Sequence, residues 1–313
     1  MKPAFTFPGQ GSQAVGMGKA MADAFPAARL VFEEVDDALS EHLSRLIFEG
    51  PRDQLTLTEN TQPALMAVSI AVVSVLEAES GKSVADMASL VAGHSLGEYS
   101  ALTAAGALKL SDTARLLRLR GRAMQRAAPV GEGAMAALLG LDLEAARAIA
   151  DEAAEGEICA CANDNAPGQI VVSGHRPAVD RATELARDKG ARKAVLLPVS
   201  APFHCALMAP AAREMEQALA EVEIASPCVP LVANVTAQPV ENGESISRLL
   251  VEQVTGMVRW RESVEAMAAE GVASVVELGA GKVLTGLARR INRDLTGLSI
   301  QTPDDIDAFL KTL

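Results

Sequence analysis

Aromatic side chains make up only 3% of the 313 residues, with a single Trp and a single Tyr. A core for this chain is therefore built from Ala, Leu, Val and Met. Cysteine is equally scarce: four, at 159, 161, 205 and 228, with no CxxC pair and no zinc spacing. That is too few for a disulfide framework at this length, and it fits a reducing cytoplasm. Basic residues number 28 against 40 acidic ones, a formal charge of −12. A general nucleic-acid binder needs a basic surface to neutralise phosphates, so that class is excluded, although small basic patches are not. No apolar run reaches the roughly 20 residues that span a bilayer. The longest, from Pro63 to Leu76, reads as a buried helix. The first residues, through Phe7-Pro-Gly-Gln-Gly11, read as a strand and a glycine loop rather than a signal peptide.

What is present is 49% apolar and 22% charged sequence, the composition of a folded globular protein. Short apolar runs at 4–7, 89–92, 229–232, 274–278 and 298–301 alternate with amphipathic helical stretches at 27–39, 61–79, 97–105, 112–126, 208–222, 245–253, 260–269 and 282–292. That alternation predicts an α/β fold with a mainly parallel sheet. The middle differs. Strands at 134–140, 157–162, 169–173 and 193–198 enclose helices at 143–154 and 177–189, the β-α-β-β-α-β order of a ferredoxin-like unit. Turn signals flank it at 129–133 and 198–202. The expectation is a large domain, 1–128 and 199–313, interrupted by a small one, 129–198. A site would lie in the cleft between them.

Gly93-His94-Ser95-Leu96-Gly97 follows an apolar strand and precedes an Ala-rich helix, the setting of a nucleophile elbow. The sharp turn requires glycines beside the serine, and the helix N-terminus favours negative charge on its hydroxyl. A tight turn that merely contains Ser95 is the bland reading. A serine nucleophile needs a base. Of four histidines, His42 lies on a polar face, His94 adjoins the serine and His175 reads as a surface turn residue. His204, in the Pro-punctuated loop Ala201-Pro-Phe-His-Cys205, remains as the base, against a buried structural role. Asp164, in Asn163-Asp-Asn165, is the one loop acid with a suggestive setting for a third member. A dyad whose imidazole is oriented by a backbone group fits equally well.

The loop Phe7-Pro-Gly-Gln-Gly-Ser-Gln13 lacks the acidic residue of a dinucleotide site and the Gly-Lys-Ser/Thr of a P-loop. Its alternative use is an oxyanion hole, with the amides of Gln10 and Leu96 as donors. In the helix around 115–125, Arg120 beside Gly121 is placed at the edge of the core. A partly buried Arg answers either a structural carboxylate or an anionic ligand, bidentately.

Together these segments resemble the malonyl-CoA:acyl carrier protein transacylases of bacterial type II fatty-acid synthesis, over residues 4 to about 292. The resemblance also rests on Arg-Gly-x-x-Met-Gln at 120–125, Asn-Asp-Asn-x-Pro-Gly-Gln at 163–169, Pro-Phe-His-Cys-Ala-Leu-Met at 202–208, Ala-Asn-Val at 233–235 and Gly-x-Gly-Lys-Val-Leu at 279–284. It implies a hydrolase-like large domain with a ferredoxin-like insert. It further implies that Ser95 attacks malonyl-CoA with His204 as base and that a carbonyl near Gln253 orients the imidazole. Gln10 and Leu96 would hold the oxyanion, and Arg120 would bind the malonyl carboxylate. Asn163 or Asn165 and Gln253 would line the cleft, and a carrier thiol would take the acyl group in a ping-pong cycle without metal or cofactor. Ala280 stands where the family often has Pro, and Phe203 resembles the aromatic of malonyl-selective relatives.

An acidic carrier must meet this acidic chain on a local basic patch. The candidates are Lys189, Arg192 and Lys193 in the small domain, and Arg289, Arg290 and Arg293 near the C-terminus. A cytoplasmic monomer acting on malonyl-CoA and acyl carrier protein is the expectation. The rival classes are a serine esterase or thioesterase, in which water replaces the thiol, and a non-catalytic carrier-binding protein.

Overall fold

The computed structural model describes residues 2–129, 131–199 and 201–313. Val130 and Ser200, each inside an expected turn segment, lie outside the described residues. Among the described residues ten strands form two sheets: β1 Ala4–Phe7, β2 Leu90–Gly93, β3 Gly133–Leu139, β4 Cys159–Ala166, β5 Gln169–His175, β6 Lys193–Leu196, β7 Leu231–Val232, β8 Pro239–Val240, β9 Ser274–Leu278 and β10 Thr296–Ile300. The larger sheet has the order β10-β9-β1-β2-β7-β8, parallel except for the β7–β8 pair. Its strands read as continuous apolar runs because both faces are covered. Alternate residues serve two cores: Phe5, Phe7, Val91 and Val276 face one, whereas Ala4, Ala92, Val232 and Val275 face the other.

The smaller sheet, β4-β5-β3-β6, is antiparallel throughout and carries two helices, Leu143–Ala154 and Arg176–Asp188. It encloses its own core of Ala, Val, Ile and Leu. This is the α/β architecture with a ferredoxin-like small domain that the hydropathy pattern predicts. β4, however, runs on to Ala166, so Asn163, Asp164 and Asn165 belong to a strand and not to a loop. Two register shifts against β5 bulge that strand around Ala162 and Asn165. A bulge re-aims the side chain that it expels from the ladder.

The apolar run that begins at Pro63 sits in helix Thr58–Ser80, long and apolar enough to cross a membrane but with most of its length buried inside the protein. It starts three residues earlier than the sequence pattern suggests and holds Pro63 inside it. Proline has no amide to offer the carbonyl four residues back. That carbonyl, on Glu59, instead accepts Arg118 Nη1 at 3.0 Å. Gly121 lets helix Leu110–Ala127 approach here so closely that a Cβ would sit 2.5 Å from the Glu59 Cα. Arg120 is thereby held beside the elbow. Short helices at Lys19–Ala24, Leu43–Glu49, Arg52–Thr56, Val84–Met87 and Pro303–Leu310 have no counterpart in the sequence reading. Most are too short for a 3.6-residue period to register.

Candidate active site

Ser95 stands between the end of β2 and helix Gly97–Ala104 with a positive φ of 53°. The turn is tight because its flanking residues have no side chains. A Cβ on Gly93 would overlap the Gly97 carbonyl at 1.8 Å, and one on Gly97 would meet the Phe7 carbonyl at 2.2 Å. Asn234 staples the strained segment. Its Oδ1 accepts the Ser95 amide at 2.7 Å, and its Nδ2 donates to the Gly93 carbonyl at 2.7 Å.

Ser95 Oγ lies 2.8 Å from His204 Nε2. On the far side of the ring, Nδ1–H donates to the backbone carbonyls of Gln253 at 2.8 Å and Gly256 at 3.1 Å. Two carbonyl acceptors select the tautomer in which Nε2 is free to take the serine proton. Burial, and then the positive charge of Arg120, hold His204 far below the ordinary histidine range, at about 3. Asp164 takes no part in this. It is fully buried and its Oδ2 accepts from Arg261 Nε at 2.9 Å, which ties β4 to helix Trp260–Ala269.

Arg120 is 1% exposed, deeper than the core edge expected from its helix position, yet it lines the cavity. Its Nη1 donates to Gln62 Oε1 at 2.8 Å, and its Nη2 to Gln253 Oε1 at 2.8 Å and to Ser95 Oγ at 3.2 Å. The Tyr99 ring lies 5.7 Å from its guanidinium carbon. All of these partners are neutral, and no carboxylate forms an ion pair with Arg120 among the described residues. The buried carboxylate that answers it, Glu98, lies beyond the Gln253 amide, so the guanidinium has no direct ionic contact and can take a ligand carboxylate from the cavity.

These groups line a cavity of about 640 Å³, within the range of small-molecule sites. Gln10, Leu96 and Asn163 line it with Ser95, Arg120 and His204, and Met124, Met135 and Phe203 add apolar wall. The amides of Gln10 and Leu96 donate to no acceptor among the described residues, which leaves both for an oxyanion.

Three expected placements change. Asn165 does not line the cavity: the bulge turns it to accept His94 Nε2–H at 2.8 Å. Gln253 is fully buried behind Arg120 and His204, and supports them rather than contacting the cleft. His175 is no surface turn residue: it ends β5, and its Nδ1 accepts the Ile158 amide at 2.9 Å.

Sequence reasoning gave no role to Glu98, Asn234 or Gln62, although Asn234 lies in the Ala-Asn-Val motif at 233–235. Glu98 is 1% exposed; its Oε2 accepts Gln253 Nε2 at 2.7 Å and the Asn234 amide at 3.1 Å. A carboxylate two residues into an Ala-rich apolar helix was the available signal.

A serine elbow on a parallel α/β sheet, with a small antiparallel domain closing over it, defines a class of proteins built for chemistry on acyl groups. The acyl transferase domain model matches residues 4–297, and the chain belongs to that family. It is 46% identical to the malonyl CoA-acyl carrier protein transacylase of Bacillus subtilis strain 168, over 100% of this chain and 97% of that one. The acyl-carrier-protein-S-malonyltransferase of Bartonella henselae superposes with a TM-score of 0.97 at 60% identity, covering 100% of this chain and 99% of that one. A malonyl-transacylase solved in complex with a type II PKS acyl carrier protein gives 0.96 at 41% identity, covering 100% of each chain.

Proposed function

We propose that this chain transfers the malonyl group of malonyl-CoA to the thiol of an acyl carrier protein, by way of a malonyl ester on Ser95, and so supplies fatty-acid elongation. Arg120 carries the reading: a buried guanidinium in direct contact with no carboxylate, 3.2 Å from Ser95 Oγ, suits an acyl group that ends in a carboxylate. Ser95 attacks the thioester carbonyl while its proton passes to His204 Nε2. The Gln10 and Leu96 amides receive the oxyanion, and His204 returns the proton to the departing coenzyme A thiolate. The carrier thiol reverses these steps and regenerates Ser95. Asn163 lines the acyl pocket, with Asn165 and Gln253 supporting His94 and Arg120 from behind.

In this reading residues 129–198 form the small domain and residues 1–128 and 199–313 the large one. The protein acts as a monomer in the cytoplasm, where its four free cysteines stay reduced. The carrier docks at one end of the small sheet. Lys193 and Gln169 both pair with Leu139 there, and Arg290 Nη1 reaches Gln169 Oε1 at 2.8 Å, so two basic segments distant in sequence meet. Arg192, Lys193, Arg289, Arg290 and Arg293 supply charge, because Gln169 is a neutral acceptor for Arg290; Lys189 is already paired with Glu152.

Intact mass after brief mixing with malonyl-CoA, then with acyl carrier protein, tests the reading. The expected result is a malonyl adduct that is absent from Ser95→Ala and passes to the carrier. Free malonate without an adduct would mean a hydrolase. Charge reversal at Arg192 and Lys193, or at Arg289 and Arg293, is expected to raise the carrier KM and leave loading from malonyl-CoA unchanged. Unchanged carrier kinetics in both variants would reject the docking site.

A further inference from the structure

The site contains two buried charges of opposite sign joined through one neutral amide. Arg120 Nη2 donates to Gln253 Oε1 at 2.8 Å, and Gln253 Nε2 donates to Glu98 Oε2 at 2.7 Å. A carboxylate only accepts hydrogen bonds, so Glu98 turns the Gln253 NH2 toward itself and its carbonyl toward the guanidinium. One guanidinium balances one carboxylate. An acyl carboxylate bound at Arg120 brings a second anion into the same water-poor region, and an uncompensated buried charge is expensive.

We propose that Glu98 is a specificity-determining residue that takes up a proton when a carboxylate-bearing acyl group occupies Arg120, so that the site keeps its charge balance. The proton comes from bulk solvent and converts the Glu98 carboxylate to the neutral acid. Both observed donors use Oε2, which leaves Oε1 to carry the proton while Gln253 and Asn234 stay in place. Glu98 needs no large shift to respond, because burial already pushes it up to about 7, against the lowering effect of Gln253, Asn234 and Arg120. The other groups around it do not titrate near neutrality. Arg120 comes from helix Leu110–Ala127 and stays cationic. Tyr99, on Glu98's own helix, is pushed by burial up to about 12. His204, from its loop, lies at about 3, and burial also lowers His94.

This inference rests on the malonyl-transfer reading. Its test is the ratio of kcat/KM for loading from malonyl-CoA to that from acetyl-CoA, followed from pH 6 to 8.5. Effects of His204, Ser95 and the coenzyme A phosphates are common to both substrates and cancel in the ratio. The ratio is expected to fall about tenfold as pH rises through Glu98's titration range, one decade per unit until the liganded group also ionises. In Glu98→Gln, whose side-chain carbonyl can still accept both hydrogen bonds, the ratio becomes independent of pH. A flat ratio in the unmodified protein, or a fall that persists in Glu98→Gln, overturns the proposal. Should the variant fail to fold, calorimetry on the unmodified protein in two buffers of different protonation enthalpy decides the matter. Malonyl loading near pH 8 must take up more protons than acetyl loading, and equal uptake overturns the proposal. Absence of any malonyl adduct would remove the transfer reading and this one together, whereas a flat ratio with normal loading removes this one alone.

Discussion

His204 Nδ1 lies 2.8 Å from the backbone carbonyl oxygen of Gln253. The imidazole is therefore oriented by peptide dipoles and not by an acid. A carboxylate partner would stabilise the imidazolium, whereas two carbonyls fix the tautomer with less bias toward the charged form. With burial and Arg120 also opposing protonation, His204 stays neutral far into the acid range. For acetyl-CoA, whose acyl group has no charge, kcat/KM is expected to show no loss with a midpoint near 6.5, the ordinary histidine value, as pH falls from 7 to 5. Such a midpoint would contradict the geometry. The same shift bears on stability. Unfolded histidine binds its proton near 6.5 and folded His204 only near 3. The contribution of the neutral ring is thus present above pH 6.5 and lost as pH falls toward 3.

Arg120 is expected to discriminate between acyl groups. Removing a charge-assisted pair costs about 1.5–3 kcal/mol, so Arg120→Ala should lower malonyl loading roughly 10- to 100-fold relative to acetyl loading. Arg120→Lys restores the charge but not the planar fork and is expected to recover only part of the preference. Stopped-flow or intact-mass loading rates with both thioesters check this. A variant that keeps its preference for malonyl would remove Arg120 from the carboxylate site.

Asn234 holds Ser95 at a φ that non-glycine residues avoid, a strain worth about 1–3 kcal/mol. Asn234→Ala frees the Ser95 amide and the Gly93 carbonyl together. Its kcat for loading is expected to fall at least tenfold, with a loss of about 1–3 kcal/mol in stability by urea unfolding. A large loss of stability with normal kcat would mean that Asn234 braces the fold and not the nucleophile.

Gly121 is the contact point of two helices. A methyl group there would meet the Thr58 carbonyl oxygen at 2.7 Å as well as the Glu59 Cα, and backbone cannot step aside as a side-chain tip can. Gly121→Ala is expected to cost about 1–3 kcal/mol by urea unfolding. Because Arg120 is adjacent in sequence, the malonyl KM should rise as well. A fully stable variant with unchanged KM would show that the helices can separate freely.

Glu98 offers a stability test of its own. The folded carboxyl takes its proton at about 7 and the unfolded one at 4.5. Its contribution is therefore fully present below pH 4.5 and lost as pH rises to 7. Glu98→Gln cannot ionise. The stability difference, variant minus parent, is expected to shift in the variant's favour by on the order of 2–3 kcal/mol between pH 5 and pH 8. Urea unfolding at the two pH values measures it.

Wherever the physics is local, the primary structure carries it. Apolar runs and the 3.6-residue period mark the long helices and every described strand except the two-residue β8, which is too short to register. The glycine-flanked Ser95 announces a sharp turn without reference to any partner. Four histidines leave His204 as the base by elimination. Asn163, Asp164 and Asn165 mark the boundary of that legibility. Their polarity suggests a loop, but β4 carries them: Asn163 and Asp164 stay paired with Val171 and Ile170 while Asp164 also bonds Val258 and Arg261, and the second bulge turns Asn165 out to His94.

What only the tertiary structure decided is which groups share one buried space. Arg120 and Ser95 are 25 positions apart, and Arg120 and Gln253 are 133 apart. No periodicity links such pairs. They meet because Gly121 admits one helix against another and because the parallel sheet presents its elbow beneath both. The −12 charge likewise excludes a class of partner but says nothing of where opposite charge gathers. Strand pairing answers that, by setting Lys193 and Gln169 on either side of Leu139. A titratable carboxyl such as Glu98 is defined by burial and by its neighbours. Both are properties of the fold: an acidic residue in an Ala-rich apolar helix hints at burial but does not say which neighbours it meets.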